Sequence, residues 1–221
     1  MIKALIFDFD GLMIDTETPE FHVWQDIYRE HGQEFPVEKW ATIVGGAGHS
    51  DFDAAEHLVT LTDGRLDSAS LRDRNRLESG ALIHTLGPLP GVLDYLNEAK
   101  RLGLRLAIAS SSPRSWVEPH ARRIGVLHFF DHVVTRDDVE PGRTKPNPDL
   151  FLKALERLGV TNDAAIVFED SPNGVRAAKR AGIFVVAVPN ELTSTLTLDE
   201  ANLVLSSLSD MPLPVLLDKV K

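Results

Sequence analysis

Four times after Leu86 the chain repeats one local grammar: a basic helix end, a glycine, then an apolar run, in KRLGLRLAIAS, RRIGVLHFFD, ERLGVTNDAAIVFED and KRAGIFVVAVP. Basic side chains favour the negative end of a helix dipole, and glycine takes the left-handed conformation that closes a helix. Each repeat is therefore an αβ junction. Strands are expected near Ala4–Phe7, Leu104–Ala109, His132–Thr135, Ala164–Phe168 and Ile183–Val188, with a short edge strand at Leu203–Leu205. Helical spacing fills the intervals, through Val92, Leu93 and Leu96 and then Leu150, Phe151, Ala154, Leu155 and Leu158. In DSPNGVRAAKRAG, Ser171 is placed to cap a helix, Pro172 to open its first turn and Gly182 to follow its end. Strands and helices alternating at this length predict an α/β fold: a three-layer, Rossmann-like arrangement with a mostly parallel sheet. Its ligand crevice lies beyond the carboxyl ends of the strands.

Between Thr16 and Leu86 the pattern changes. No convincing apolar strand occurs, and the spacing is helical: Phe21, Trp24 and Tyr28 share one face, as do Leu58 and Leu61. Residues 16–86 read as an inserted helical domain, with 1–15 and 87–221 forming the α/β core. Within the insert, VGGAGHS at Val44 to Ser50 is too glycine-rich for a helix interior, so it is either an ordinary interhelical turn or a loop facing a ligand through Gly46 and His49.

What the chain lacks narrows its chemistry. It has no cysteine, which excludes disulfides, thiolate catalysis and Cys-type metal sites. Only six apolar-leaning residues precede Asp8, which is not a signal peptide, and no apolar stretch reaches the ~18 residues needed to span a bilayer. The formal net charge is -10 and no dense basic block is present, arguing against nucleic acid or an anionic membrane as partner. The expectation is a soluble, cytoplasmic monomer acting on a small molecule.

Polar clusters follow four strands in order. The first ends at Asp8-Phe9-Asp10-Gly11 and the second at Ser110-Ser111-Ser112; the third leads to RTKPNPD with Lys145, and the fourth ends at Glu169-Asp170-Ser171. In a parallel sheet these sets converge at one edge. A carboxylate can act as a covalent nucleophile, and several carboxylates with a backbone oxygen make a hard site suited to magnesium. Asp8, Asp10 and Asp170 are candidates to hold that ion, and Lys145 to stabilise ionised Asp8 and grip a phosphoryl oxygen. Ser110 and the amides opening the next helix are candidates for the same group; Ser111 and Asn147 lie within the same motifs as substrate-contact candidates. Taken singly, each has a plain structural reading as a cap, turn or surface residue; Thr16 and Glu17 read equally as caps of the first inserted helix. Competing chemistries have less support. The eight histidines are dispersed, no G-x-S-x-G turn exists, and no G-x-G-x-x-G follows the first strand.

With these residues in view, the chain resembles the haloacid-dehalogenase-like superfamily, and within it the beta-phosphoglucomutase-like phosphatase branch. DFDGLMIDT looks like its first motif, IASSS its second, TKPNPD its third and FEDSPNG its fourth, in order and over nearly the whole chain. The resemblance implies that Asp8 is a nucleophile that becomes aspartyl phosphate and Asp10 the acid/base. It implies that Ser110 and Lys145 bind the phosphoryl group. Asp170, Asp8 and the Asp10 carbonyl would be magnesium ligands, Glu169 ligating directly or from behind them, and the helical insert a mobile cap. Dehalogenases of the superfamily also use an aspartyl nucleophile without such a magnesium-rich set, so the resemblance favours hydrolysis of a small organic phosphomonoester. A sugar-phosphate mutase is the alternative and a catalytically silent metal- or phosphate-binding module a third. Sugar-phosphate mutases carry a histidine shortly after the Asp-Thr pair, where this chain has Glu20 with His22 displaced by two, and an arginine where this chain has His49. Glu20, His22, His49 and Arg76 are candidates to meet the organic part of the substrate, Arg76 reading equally as a solvated helix residue.

Overall fold

The structure, a computed structural model, describes residues 1–40 and 52–220. The chain runs β1 (Ala4–Phe7), α1 (Glu17–Glu30), α2 (Val37–Trp40), α3 (Ala54–Leu61), α4 (Ser68–Ile83), α5 (Val92–Arg101), β2 (Arg105–Ala109), α6 (Arg114–Arg123), β3 (His132–Val134), α7 (Asp149–Leu158), β4 (Ala165–Glu169), α8 (Pro172–Arg180), β5 (Phe184–Ala187), β6 (Leu203–Val204) and α9 (Leu213–Lys219). Gly103, Gly125, Gly159 and Gly182, the glycines of the four junctions, have φ between 62° and 77°. A Cβ is disfavoured in that region, which makes glycine the natural helix stop. Ser171 accepts a hydrogen bond from the Gly174 amide as the cap of α8.

All strand pairs are parallel, in the order β3-β2-β1-β4-β5-β6. The alternation of side chains along a strand sends Leu5 and Phe7 to one face, with α5, α6 and α9, and Ala4 and Ile6 to the other, with α7 and α8. Three layers result. The expected strands shorten where an apolar run first closes a helix: the Leu104 and Ile183 amides bond back to Ala99 and Ala178 carbonyls, leaving β2 and β5 to start one residue later. Leu93 and Leu61, which fit the helical spacing of apolar residues, are each 40% exposed. Both lie just outside the stripe their helices bury.

The chain winds from β1 outward through β2 and β3, then returns to β4 beside β1 and winds the other way. Crevices form at such a switch point, beyond the carboxyl strand ends. Phe7 is in register with Ile108 on β2 and Phe168 on β4, so the residues after these three strands emerge at one level. Helices α1, α3 and α4 pack around a separate apolar cluster that includes Phe21, Trp24, Tyr28, Phe35 and Leu58. No helix among the described residues is long and apolar enough to cross a membrane.

Phe168 stacks on Phe7 with ring centroids 4.7 Å apart and meets the Tyr95 ring edge-on at 5.5 Å. Phe168→Ala is expected to cost ~3–5 kcal/mol through lost burial and the cavity left in the central strands. Urea unfolding followed by circular dichroism checks it; a loss below ~1 kcal/mol would show that this stack is not a keystone of the sheet.

Candidate active site

The site begins where β1 runs out. The Asp8 amide still bonds to the Phe168 carbonyl, and the chain then doubles back through Gly11, whose amide reaches the Ile14 carbonyl. Gly11 has φ +76°, and a Cβ there would overlap the Asp170 carboxylate and the Asn190 amide. Only glycine fits, and the tight turn holds Asp8 and Asp10 against the crevice.

Lys145 is fully buried and lies between two carboxylates, with its Nζ 2.5 Å from Asp8 Oδ1 and 2.6 Å from Glu169 Oε1. Burial alone would lower its pKa, yet the two carboxylates prevail and hold it above the ordinary lysine range. Burial pushes Asp8 up to about 8, helped by the charge of Glu169 and opposed by Lys145. Glu169 is occupied on both oxygens. Oε1 faces Lys145, and Oε2 accepts from the Asp170 and Ser171 amides and the Ser171 hydroxyl. A Cβ at Gly174 would collide with this carboxylate, so the first turn of α8 is built around it.

Asp170 accepts from Asn190 Nδ2 through Oδ2 at 2.9 Å, whereas its buried Oδ1 has no hydrogen-bond partner among the described residues. Burial raises its pKa, with further contributions from Glu17, Glu169 and Asp8. Asp8, Glu169 and Asp170 each offer an oxygen within 4.8 Å of the others. Two of these buried carboxylates pair with the one ammonium, and Asp170 keeps an oxygen without a hydrogen-bond partner among the described residues. Oxygen donors with uncompensated negative charge fit a hard divalent cation.

Asp10 sits beside this centre with four donors around it. Thr16 Oγ1 at 3.0 Å and Trp116 Nε1 at 2.8 Å donate to Oδ1; Ser110 Oγ at 3.2 Å and Ser112 Oγ at 2.7 Å donate to Oδ2. Thr16 thus turns to Asp10 instead of capping α1, and Asp15 supplies a side-chain bond to the Thr18 amide. Sequence reasoning did not single out Ser112 or Trp116. Ser112 stood inside a quoted motif, but the signal for Trp116 exists only in the packing of α6 against the first turn.

Above Asp10 opens a pocket of about 410 Å³ lined by Thr16, by Glu17, Glu20 and Trp24 of α1, by residues of α4, and by Ser112 and Trp116 from the core. Burial, then the charge of Asp10, pushes Glu20 up to about 7. Arg76 lines the pocket, but its guanidinium pairs with Asp73 and the side chain is 80% exposed. The remaining candidates scatter. His22 is exposed and turned away, because Phe21, Val23 and Trp24 occupy the buried arc of α1. The Asn147 amide is spent inside its own loop, on the Gly142 and Thr144 carbonyls. Ser111 Oγ is buried with no hydrogen-bond partner among the described residues. Gly46 and His49 lie outside the described residues.

A family model described as haloacid dehalogenase-like hydrolase matches residues 2–182. Among curated relatives, the "Putative phosphatase YhcW" of Bacillus subtilis (strain 168) is 44% identical over 218 residues, covering 99% of this chain and 97% of that protein. The "Phosphorylated carbohydrates phosphatase" of Thermotoga maritima is 32% identical over 185 residues, covering 82% of each. Among solved structures, that of CbbY from Rhodobacter sphaeroides in complex with phosphate superposes with a TM-score of 0.71 at 28% identity, covering 95% of this chain and 96% of that one.

The raised carboxylates set a pH dependence. Asp8 and Glu20, near 8 and 7 when folded, lie above the ordinary carboxylate range of about 4, so between those values the folded chain binds more protons than the unfolded one and stability falls as pH rises. His57 and His120, held down chiefly by burial, act oppositely but only below about 6.5. In chelator, Tm is therefore expected to fall between about pH 6.5 and 8.5, less steeply in Asp8→Asn, and a divalent cation to restore most at the alkaline end, where its ligands are ionised. Thermal unfolding across this range checks it; a Tm that rises with pH in chelator would contradict the raised value of Asp8.

Proposed function

The chain belongs to the haloacid dehalogenase-like hydrolases, and from that premise we propose that it is a magnesium-dependent phosphatase of the beta-phosphoglucomutase-like branch, acting on a small phosphorylated metabolite such as a sugar phosphate. The observation that carries this reading is the buried Asp8–Lys145–Glu169 set with Asp170 at its side and Asp10 one residue away from Asp8.

In this reading Asp8 Oδ attacks phosphorus, the ester P–O bond breaks, and Asp10 gives its proton to the leaving alkoxide. The aspartyl phosphate is then hydrolysed by water, whose proton returns to Asp10. Lys145 opposes the burial that favours the neutral acid at Asp8, and it offers an ammonium to a phosphoryl oxygen. Ser110, whose hydroxyl lies 3.2 Å from Asp10 Oδ2, is in this reading the second side chain that binds the phosphoryl group. Asp8, Asp170 and the Asp10 carbonyl are the donors for magnesium; Glu169, committed on both oxygens, holds Lys145 in place from behind. Bound there, the ion would neutralise charge on the phosphoryl group. The helices between β1 and α5 serve as a lid that excludes water from the phosphoenzyme. A mutase must clamp the second phosphate of a bisphosphorylated intermediate; Glu20 and His49 stand where mutases carry a histidine and an arginine, which favours water as the acceptor.

Phosphate release from sugar phosphates, glycerol phosphate, nucleotides and phosphoglycolate, with magnesium and then with excess chelator, tests the proposal. Turnover with magnesium and its loss in chelator and in Asp8→Asn are expected; no release from any member of the panel would sink the reading. Asp10→Asn is expected to slow alkyl phosphate turnover by ~10²–10⁴-fold while impairing phosphoenzyme formation from an aryl phosphate less, since an aryloxide leaves without a proton. Rapid-quench detection of bound phosphate separates the two steps, and equal impairment on both substrates would remove Asp10 as the acid.

A further inference from the structure

Asn190, in the loop after β5, belongs to none of the four strand-end motifs, yet it touches the centre of the site. Its Nδ2 donates to Asp170 Oδ2 at 2.9 Å and to the Gly11 carbonyl at 3.2 Å. Its Oδ1 accepts from the Leu192 and Thr193 amides at 3.0 and 2.9 Å and from the Thr193 hydroxyl at 3.1 Å. Backbone amides only donate, so the side-chain amide has one orientation: oxygen towards its own loop, nitrogen towards Asp170. The loop is itself tied down, because Thr193 is fully buried and its hydroxyl accepts from the Asn190 backbone amide.

The consequence is a shortage of ligand oxygens. Asp170 gives Oδ2 to Asn190 and keeps only the buried Oδ1 without a hydrogen-bond partner among the described residues. Asp8 gives Oδ1 to Lys145, and Glu169 is engaged on both oxygens. No acid of this centre keeps both oxygens unengaged. The second Nδ2 bond, to Gly11, ties Asp170 to the turn that follows the Asp10 carbonyl, so the spacing of two candidate ligands is held along with the orientation of one.

Hard cations respond differently to such a site. Ca²⁺ gathers about six to eight oxygens at ~2.3–2.6 Å and readily takes both oxygens of one carboxylate. Mg²⁺ is smaller and stays close to octahedral; it is held through one or two carboxylates, with water and substrate phosphate filling the other positions. A carboxylate restricted to one oxygen, fixed in place, suits Mg²⁺ and penalises Ca²⁺.

Resting on the magnesium-dependent reading, we infer that Asn190 is the positioning residue that sets the metal preference of this centre: by holding Asp170 Oδ2 it confines that carboxylate to a single ligand oxygen and so favours Mg²⁺ over Ca²⁺.

Isothermal titration of the full chain with Mg²⁺ and with Ca²⁺, without substrate, reads the preference as a ratio of two affinities, and the unsubstituted chain is expected to favour Mg²⁺. Asn190→Asp keeps an acceptor for the Leu192 and Thr193 amides but replaces the donor facing Asp170 by another oxygen. It is expected to move the ratio towards Ca²⁺ by about tenfold or more, the order of effect seen when a partner behind a metal ligand is lost. Asn190→Ala, which releases Oδ2 without adding charge, is expected to move it the same way. Thr193→Val loosens the same loop and leaves Nδ2 on Asp170, so its ratio is expected to stay that of the unsubstituted chain. Circular dichroism confirms that each variant is folded; should Asn190→Ala fail, Asn190→Asp, with its loop contacts kept, carries the test. An unchanged ratio in folded Asn190→Asp, an equal shift in Thr193→Val, or a preference of the unsubstituted chain for Ca²⁺ would overturn the inference while Mg²⁺-dependent phosphate release leaves the phosphatase reading intact. Binding of neither cation to the unsubstituted chain, with no phosphate release in Mg²⁺, would remove that reading and this inference together.

Discussion

The Lys145 ammonium, buried between Asp8 and Glu169, is the contact on which the rest of the site depends. A lone buried charge costs several kcal/mol, and three carboxylates with one ammonium remain stable only where every member is held by its neighbours. Lys145 and its two partners come from different parts of the chain. Asp8 ends the central strand, Glu169 ends the adjacent one in register with it, and Lys145 arrives on the loop after β3. The backbone has been shaped to the group in return. Gly11 lets Asp170 approach the first loop, and Gly174 lets the start of α8 close over Glu169. The acids outnumber the base, and with the orphaned Asp170 Oδ1 this donor set fits a divalent cation.

Asp10 belongs to a different environment although only Phe9 separates it from Asp8. Its four donors come from the start of α1, from the loop after β2 and from α6. Helix α6 reaches further. Arg123, at its far end, donates to the carbonyls of Ile83, His84 and Leu86, the segment that leads from α4 back to the core. One helix thus grips both the Asp10 carboxylate and one of the two chain passages joining the helical insert to the sheet. The position of the inserted helices and the orientation of Asp10 are thus linked through α6.

The architecture and the carboxyl-edge clusters were legible along the chain, because both are written in local rules. A glycine after a basic helix end, an apolar run of strand length and a serine before proline each report short-range physics, and parallel winding then brings the motif ends to one edge. Where prediction failed, the deciding contact lay far away in the chain. Leu61 and Leu93 fit an apolar stripe by spacing, but exposure depends on which neighbour covers the stripe. Thr16 looked equally like a cap or a site residue, and the choice was made by the distance to Asp10. Trp116 carried no motif, Asn147 had one yet turned to its own loop, and His22 lost the pocket to Glu20 because helical rotation gave its neighbours the buried arc. Periodicity and charge order are encoded along the chain; the pairing of acids with bases and the orphaning of one oxygen depend on which side chains meet across elements, and these emerge with the folded packing.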